Sequence, residues 1–376
     1  MTDLLSSHTD IVHKQWARRP ADERYIDLDS LHAYKKGLFD RCSEGKINTS
    51  RLVAQPTGDG DIGLSVDGKG RQLVMNNWSF GQLCVKAGAP ASYLSHLPAD
   101  IASTNLNHGL KRLGNVSKLL IDNETDTIRA ITSETYGRIP DHHIVELVQR
   151  FAGNGTGDTN WRAPGVLDWA TRTYDPFTPV SLEDTTFYAS DRDCFIFLCS
   201  TDPIYVGQTP DGKDDLLYRA LGISTSEVGG GAVELFSMWM RGVCKNRNVW
   251  GVEDFQTIRI RHSRWAGLRV TDEIIPQVEN YRTASTDNVV AMIRNAKGYS
   301  IAKNDDEAET FLVRTGLTKS NAKSAMALHL AEETVPVRSA WDASQAVTAL
   351  ARSIVHQDKR TDLERIGSGI VSRFAA

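Results

Sequence analysis

Long apolar runs are missing from this 376-residue chain. None approaches the ~18 residues of a membrane helix, so the chain reads as soluble. The start, MTDLLSSHTDIVHKQW, has no basic segment followed by an apolar stretch and no small-residue cleavage site, so no secretory leader is expected and a cytoplasmic location follows. Cysteine is scarce: Cys42, Cys84, Cys194, Cys199 and Cys244 are odd in number and widely spread, which argues against a disulfide framework. They read as reduced thiols. Cys194 and Cys199 fall at odd spacing in CFIFLC, so a strand would place them on opposite faces, away from any shared metal.

Reaction signatures are missing too. GxxxxGK[ST], a GxGxxG leading from a strand into a helix, HExxH, paired CxxC and GxSxG do not occur, and neither do internal repeats, low-complexity tracts or a long heptad series. The chain therefore reads as a binding protein rather than an enzyme, and no cofactor is called for. Net charge is −4, so any nucleic-acid site must be local.

What is present is a pattern of hairpins followed by helices. RLVAQP, IGLSV and RQLVM, separated by Asp-Gly turns, predict a β-meander over 51–75. Helices are expected from 78 to 87 and from 98 to 113, a hairpin turning near 123–126, and an amphipathic helix over 141–151. TTFYAS and CFIFLCS predict a buried strand pair, while AVELFSMWMRGVC fits strand or helix. FQTIRIRHS alternates, with Ile258 and Ile260 on one side and Arg259 and Arg261 on the other. Beyond 271 the chain is helical. The expected fold is α+β: a mixed, mainly antiparallel sheet built from hairpins over 47–270, preceded by a helical arm (1–46) and followed by a helical carboxy-terminal region (271–376).

Charge and aromatic surface coincide in one place. Residues 241–269 hold seven Lys or Arg against two acids, Glu253 and Asp254, with Trp239, Trp250 and Trp265 in or beside the stretch. Cations neutralise phosphates and flat aromatic faces accept unpaired bases, so this composition suits a single-stranded polynucleotide. The candidate contacts are Lys245, Arg247, Arg259, Arg261, His262, Arg264 and Trp265, with Trp265 the expected stacking platform and Trp239 and Trp250 expected in the core. A competing reading has these arginines guarding a strand edge and paired with carboxylates.

Other candidates are weaker. Asp191, Asp193 and Glu227, with Asp202 nearby, would hold Mg²⁺ for phosphotransfer or nuclease chemistry if the fold gathered them. Asp191-Arg-Asp193 also reads as a self-satisfied turn. Gly229-Gly-Gly231 reads as a tight turn rather than a phosphate cradle, lacking the following Lys and Ser/Thr. Asp141-His-His143 reads as a helix N-cap with two surface histidines.

Several segments together resemble a widespread family of phage- and plasmid-encoded proteins of unknown function. They are WARRPADERYIDLDSL (16–31), WSFGQLCVKAGAPASYLSHLP with NLNHGL (78–110), RAITSETYGRIPD (129–141), FYASDRDCFIFL (187–198), STSEVGGGAVELF (224–236), VCKNRNVWGVEDFQTIRIRHS (243–263) and WDASQAVTALARSIVHQDKRTDLE (341–364). Ser224-Thr-Ser-Glu227 departs from the family pattern, which would place an aromatic residue or Asn next to the Ser-Glu-Val. The resemblance transfers no catalytic residues. It implies a mobile-element product in the bacterial cytoplasm, near replication, recombination or conjugation. DNA, single-stranded by preference, is the expected partner and strand annealing the sharper task; no membrane is expected, and self-association is left open. The alternatives are the metal-dependent enzyme on Asp191, Asp193 and Glu227, and an interaction protein that meets a host factor through an acidic face.

Overall fold

The computed structural model describes residues 15, 19–164, 167–168, 173–174, 177–241, 249–251, 257–353 and 357–373. Its class is α+β, with a helical carboxy-terminal region. The strands divide between two main sheets.

In chain order, β1 (Arg24–Tyr25) leads to α1 (Leu28–Asp40), whose N-cap Asp27 accepts from the backbone N–H of Ser30. Then come β2 (Cys42–Asn48), β3 (Leu52–Pro56), β4 (Ile62–Val66) and β5 (Lys69–Met75). The helices α2 (Asn77–Ala87), α3 (Ala91–Leu94) and α4 (Ala99–Leu113) follow, then the hairpin β6 (Val116–Asp122) and β7 (Thr127–Ser133). These strands form a six-stranded sheet in the order β2-β6-β7-β5-β4-β3, with β5 parallel to β7 and the other described pairings antiparallel. The alternation read over 51–75 fixes its register, because one face must bury Leu52, Ala54, Leu64 and Leu73 against Leu83, Leu106 and Leu110 of α2 and α4.

Helix α5 (Asp141–Ala152) leads into the second sheet. This sheet holds β8 (Trp161–Arg162), β11 (Phe187–Ala189), β12 (Cys194–Ser200), β13 (Ile204–Gln208), β14 (Asp214–Thr225), β15 (Val233–Arg241), β16 (Val249–Gly251) and β17 (Ile258–Ile260). Its main path is β1-β11-β12-β14-β15-β16, with β8, β13 and β17 pairing on β12, β14 and β15. The short strands β9 (Leu167–Asp168) and β10 (Thr173–Tyr174) pair only with each other among the described residues. The ambiguous run 232–244 forms strand β15 over its described part, held by an eight-residue register against β14 from Leu217↔Arg241 to Ser224↔Glu234. Cys194 and Cys199 do face opposite ways: the first joins the core beneath the helices, the second the cluster of Phe195, Phe197, Tyr218 and Phe236 on the other face. Cys42, Cys84, Cys194 and Cys199 are free thiols; Cys244 lies outside the described residues.

Among the described residues six helices follow: α6 (Ala266–Thr283), α7 (Asp287–Gly298), α8 (Asp305–Arg314), α9 (Lys319–Glu333), α10 (Ala340–Ser353) and α11 (Gln357–Ser372). They share one core with α1, α5 and the inner face of the second sheet, including Ile196, Leu221, Leu235, Ile274, Val278 and Val347. Arg241, at the end of β15, is buried in that core. It makes a two-pronged bond to Asp215 (2.7 and 2.9 Å), and Lys297 reaches the same carboxylate at 2.6 Å. The first cation of the basic stretch is thus cancelled inside the fold.

Candidate nucleic-acid interface

The two sheets meet around four buried charges. Along α1 the inward stripe is Leu28, Leu31, Lys35 and Leu38, so the fold sends an ammonium where a leucine would otherwise sit. Lys35 Nζ donates to Asp141 Oδ2 (3.0 Å) and to the Ser190 carbonyl (2.7 Å). Asp141 Oδ1 accepts from Thr225 Oγ1 (3.2 Å) and from the Glu227 N–H (3.1 Å), while Glu227 Oε2 accepts from the Asp141 N–H (3.2 Å). Glu227 Oε1 meets Arg129 Nη1 at 2.7 Å, and Arg129 Nη2 donates to the Asp191 carbonyl. Burial alone would lower the Lys35 pKa, but the Asp141 carboxylate beside it holds the ammonium above its ordinary value. Two cations and two carboxylates therefore pair off, with every carboxylate oxygen engaged. This cluster joins α1, β7, α5 and the end of β14.

That arrangement corrects two readings. Asp141 is no cap: Pro140 occupies the cap position, Asp141 is a fully buried anion on the first turn of α5, and of the two histidines read as surface groups only His143 is exposed. His142 is buried as well, and burial, then the neighbouring His143, pull its pKa down to about 4. The proposed Mg²⁺ carboxylates are not free to share an ion. Glu227 is held by Arg129, Asp193 by Arg19 through two bonds (3.0 and 2.6 Å), and Asp191 accepts from the Asn76 amide (2.8 Å). Among the described residues no group of three or more His, Cys, Asp or Glu is placed to hold a metal.

Above this junction lies a strip of surface with a different character. At one end the exposed Arg192 guanidinium stacks on Trp78 at 4.6 Å, and the Trp78 indole N–H donates to the Val228 carbonyl (3.0 Å). Next comes the tight turn at Gly229 to Gly231, with φ +88° at Gly229 and the Gly230 N–H bonded to Ser226 Oγ. A side chain at Gly230 would come within 3.7 Å of the Trp78 ring, and one at Gly229 within 3.9 Å of Tyr136. Tyr136 in turn stacks on His262, ring centroids 5.0 Å apart and 17° from parallel.

Beyond His262 the strip continues through Arg261 and Arg264 to Trp265, which is 65% exposed and carries the Arg264 guanidinium over its ring at 5.6 Å. The 137–139 segment fixes this loop: the Gly137 N–H donates to the His262 carbonyl, and a Cβ at Gly137 would sit 1.8 Å from the Ser263 carbonyl oxygen. Only glycine permits that approach. A cleft of about 360 Å³ runs between α5 and α6, lined among others by Arg138, His143, Arg150 and Gly267, the last two positions past Trp265.

The seven contacts read from the sequence separate on this geometry. Arg261, Arg264 and Trp265 lie together at the surface, and among the described residues neither arginine has a carboxylate partner. Arg259 is exposed on β17, as the alternation requires, but bonds Glu234 on β15 at 2.8 Å, so its charge is compensated locally. His262 is turned inward: the Ile139 N–H donates to its Nδ1, and burial, with Arg138 nearby, pulls its pKa down to about 4. At neutral pH it carries no charge to offer a phosphate. Lys245 and Arg247 lie outside the described residues. Trp239 is core, edge-on to Tyr281, and the Trp250 side chain lies outside the described residues. Arg192 and Trp78 were missed because 113 residues separate them in sequence; the exposed Arg between two aspartates was the available signal.

Because the folded pKa of His262 lies below its unfolded value of ~6.5, it contributes stability that is complete above that pH and lost as pH falls toward about 4. Urea midpoints measured across that window should decline less steeply for His262→Gln than for the wild type. Equal slopes would contradict the buried, neutral assignment.

Comparison with family models, curated proteins and solved structures yields no match for this chain. No helix among the described residues is long and apolar enough to cross a membrane.

Proposed function

We propose that the protein binds single-stranded nucleic acid, DNA in the first place, along the strip from Arg192 and Trp78 across the glycine turn to Arg261, Arg264 and Trp265. One observation carries the reading: two arginine–tryptophan stacks flank a side-chain-free turn, and Arg192, Arg261 and Arg264 lack carboxylate partners among the described residues. Arginines left unneutralised at a surface are available to phosphates, and a tryptophan face accepts any base, since every base has a π-face. Glycines let a sugar-phosphate backbone come close. In the mobile-element context that the resemblance implies, the task would be replication or recombination in the bacterial cytoplasm, with strand annealing as its sharper form.

The test is a fluorescence-anisotropy titration of labelled oligo-dT and of a duplex of equal length, each at two salt concentrations. The reading expects tighter binding to the single strand and a marked loss of affinity at the higher salt. No binding, or affinity indifferent to salt, would overturn it.

A further inference from the structure

The six-stranded sheet has two edges, and they are treated differently. At the β3 edge the α4 residue Asn107 bonds both backbone groups of Ala54, accepting from its N–H at 2.7 Å and donating to its carbonyl at 2.9 Å. Pro56 then ends that strand. These are the devices that stop an edge from recruiting another strand. The opposite edge, β2, has neither. It is seven residues long, pairs only with β6 among the described residues, contains no proline, and leaves Ser43, Glu44, Gly45, Lys46 and Asn48 exposed. Its outward backbone groups have no bond to any described residue.

The strand sequence, Cys42-Ser-Glu-Gly-Lys-Ile-Asn48, is complementary to itself. Placed antiparallel to a copy of itself about a two-fold axis through Gly45, it sets Glu44 opposite Lys46 of the copy, twice over. Within the chain Lys46 is directly opposite Lys118 of β6, a like-charge pairing that is unfavourable across strands. That pair is now relieved by Glu134 (3.2 Å from Lys46) and by Glu44 (3.2 Å from Lys118). A copy's Glu44 beside Lys46 would extend the alternation of sign across the new seam.

We propose that β2 is a homotypic docking edge: two copies of the chain pair antiparallel along β2 about Gly45, joining their six-stranded sheets into one continuous sheet. Both copies present the same patch, as a two-fold interface requires. The inference is independent of the nucleic-acid reading.

Two variants test it. Lys46→Glu turns both cross-seam pairs repulsive at an exposed position, and sedimentation equilibrium should show the dimer dissociation constant rising about tenfold or more. Gly45→Cys puts a thiol on the two-fold axis, where an added Cβ meets nothing within 4 Å. Under mild oxidation it should form an intermolecular disulfide above the wild-type background, whereas Gly58→Cys, in an exposed loop, should not. A wild-type chain that stays monomeric at all concentrations overturns the proposal. So does self-association in which Gly45→Cys fails to cross-link, because another surface would then be responsible. Circular dichroism checks that Lys46→Glu is folded; the cysteine result decides the matter if it is not.

Discussion

Replacing Asp141 by alanine is expected to lower the unfolding free energy by about 3–5 kcal/mol, the range for removing one partner of a buried ion pair. The loss would be large because three groups lose the carboxylate at once: the Lys35 ammonium, 1% exposed and left with only the Ser190 carbonyl, the Glu227 N–H and the Thr225 hydroxyl. Lys35→Met alone should also destabilise, by leaving the Asp141 carboxylate buried without its cation. Lys35→Met with Asp141→Ala should lose less than the two single losses combined, since no uncompensated charge is then left in the junction. Urea unfolding of the three variants gives the coupling directly. A loss below about 1 kcal/mol for Asp141→Ala would mean that water reaches the cluster and that it does not join the sheets.

Trp265→Ala is expected to weaken single-strand binding by about 1–3 kcal/mol, or roughly 5- to 150-fold in Kd, which is the worth of one stacked base. Trp265→Phe should retain much of the affinity, because an aromatic face is kept. The fold should be indifferent to either change, since the indole is mostly in solvent and, among the described residues, meets only the Arg264 guanidinium over its face. Parallel thermal melts separate the two effects. If alanine and phenylalanine bind equally, or if both match the wild type, Trp265 is no stacking platform.

Local pattern made much of this fold legible. Asp-Gly turns and alternation marked β3, β4 and β5, and the Ile258-Arg-Ile260 alternation placed Arg259 outside and Ile260 inside. Helical spacing marked the carboxy-terminal helices. The charge cluster was hidden because its four members come from four elements, and each had a plausible surface role alone: Asp141 as a cap, Glu227 as part of a turn. Lys35 was the exception. A lysine at the third position of a 28, 31, 35, 38 apolar stripe asks for a buried partner, and that spacing was readable. For the candidate interface, composition found Arg261, Arg264 and Trp265 but counted Arg241 and Arg259 with them. A sequence records charge, whereas the fold buries Arg241 against Asp215 and compensates Arg259 at the surface with Glu234.

If Arg192, Arg261 and Arg264 neutralise phosphates together, as proposed, the direct measurement is the slope of log K against log salt for oligo-dT binding. Three lost phosphate contacts at ~0.7 each predict that the slope of the variant Arg192→Ala/Arg261→Ala/Arg264→Ala is shallower than wild type by about 2. An unchanged slope would mean that the strip does not carry the nucleic acid.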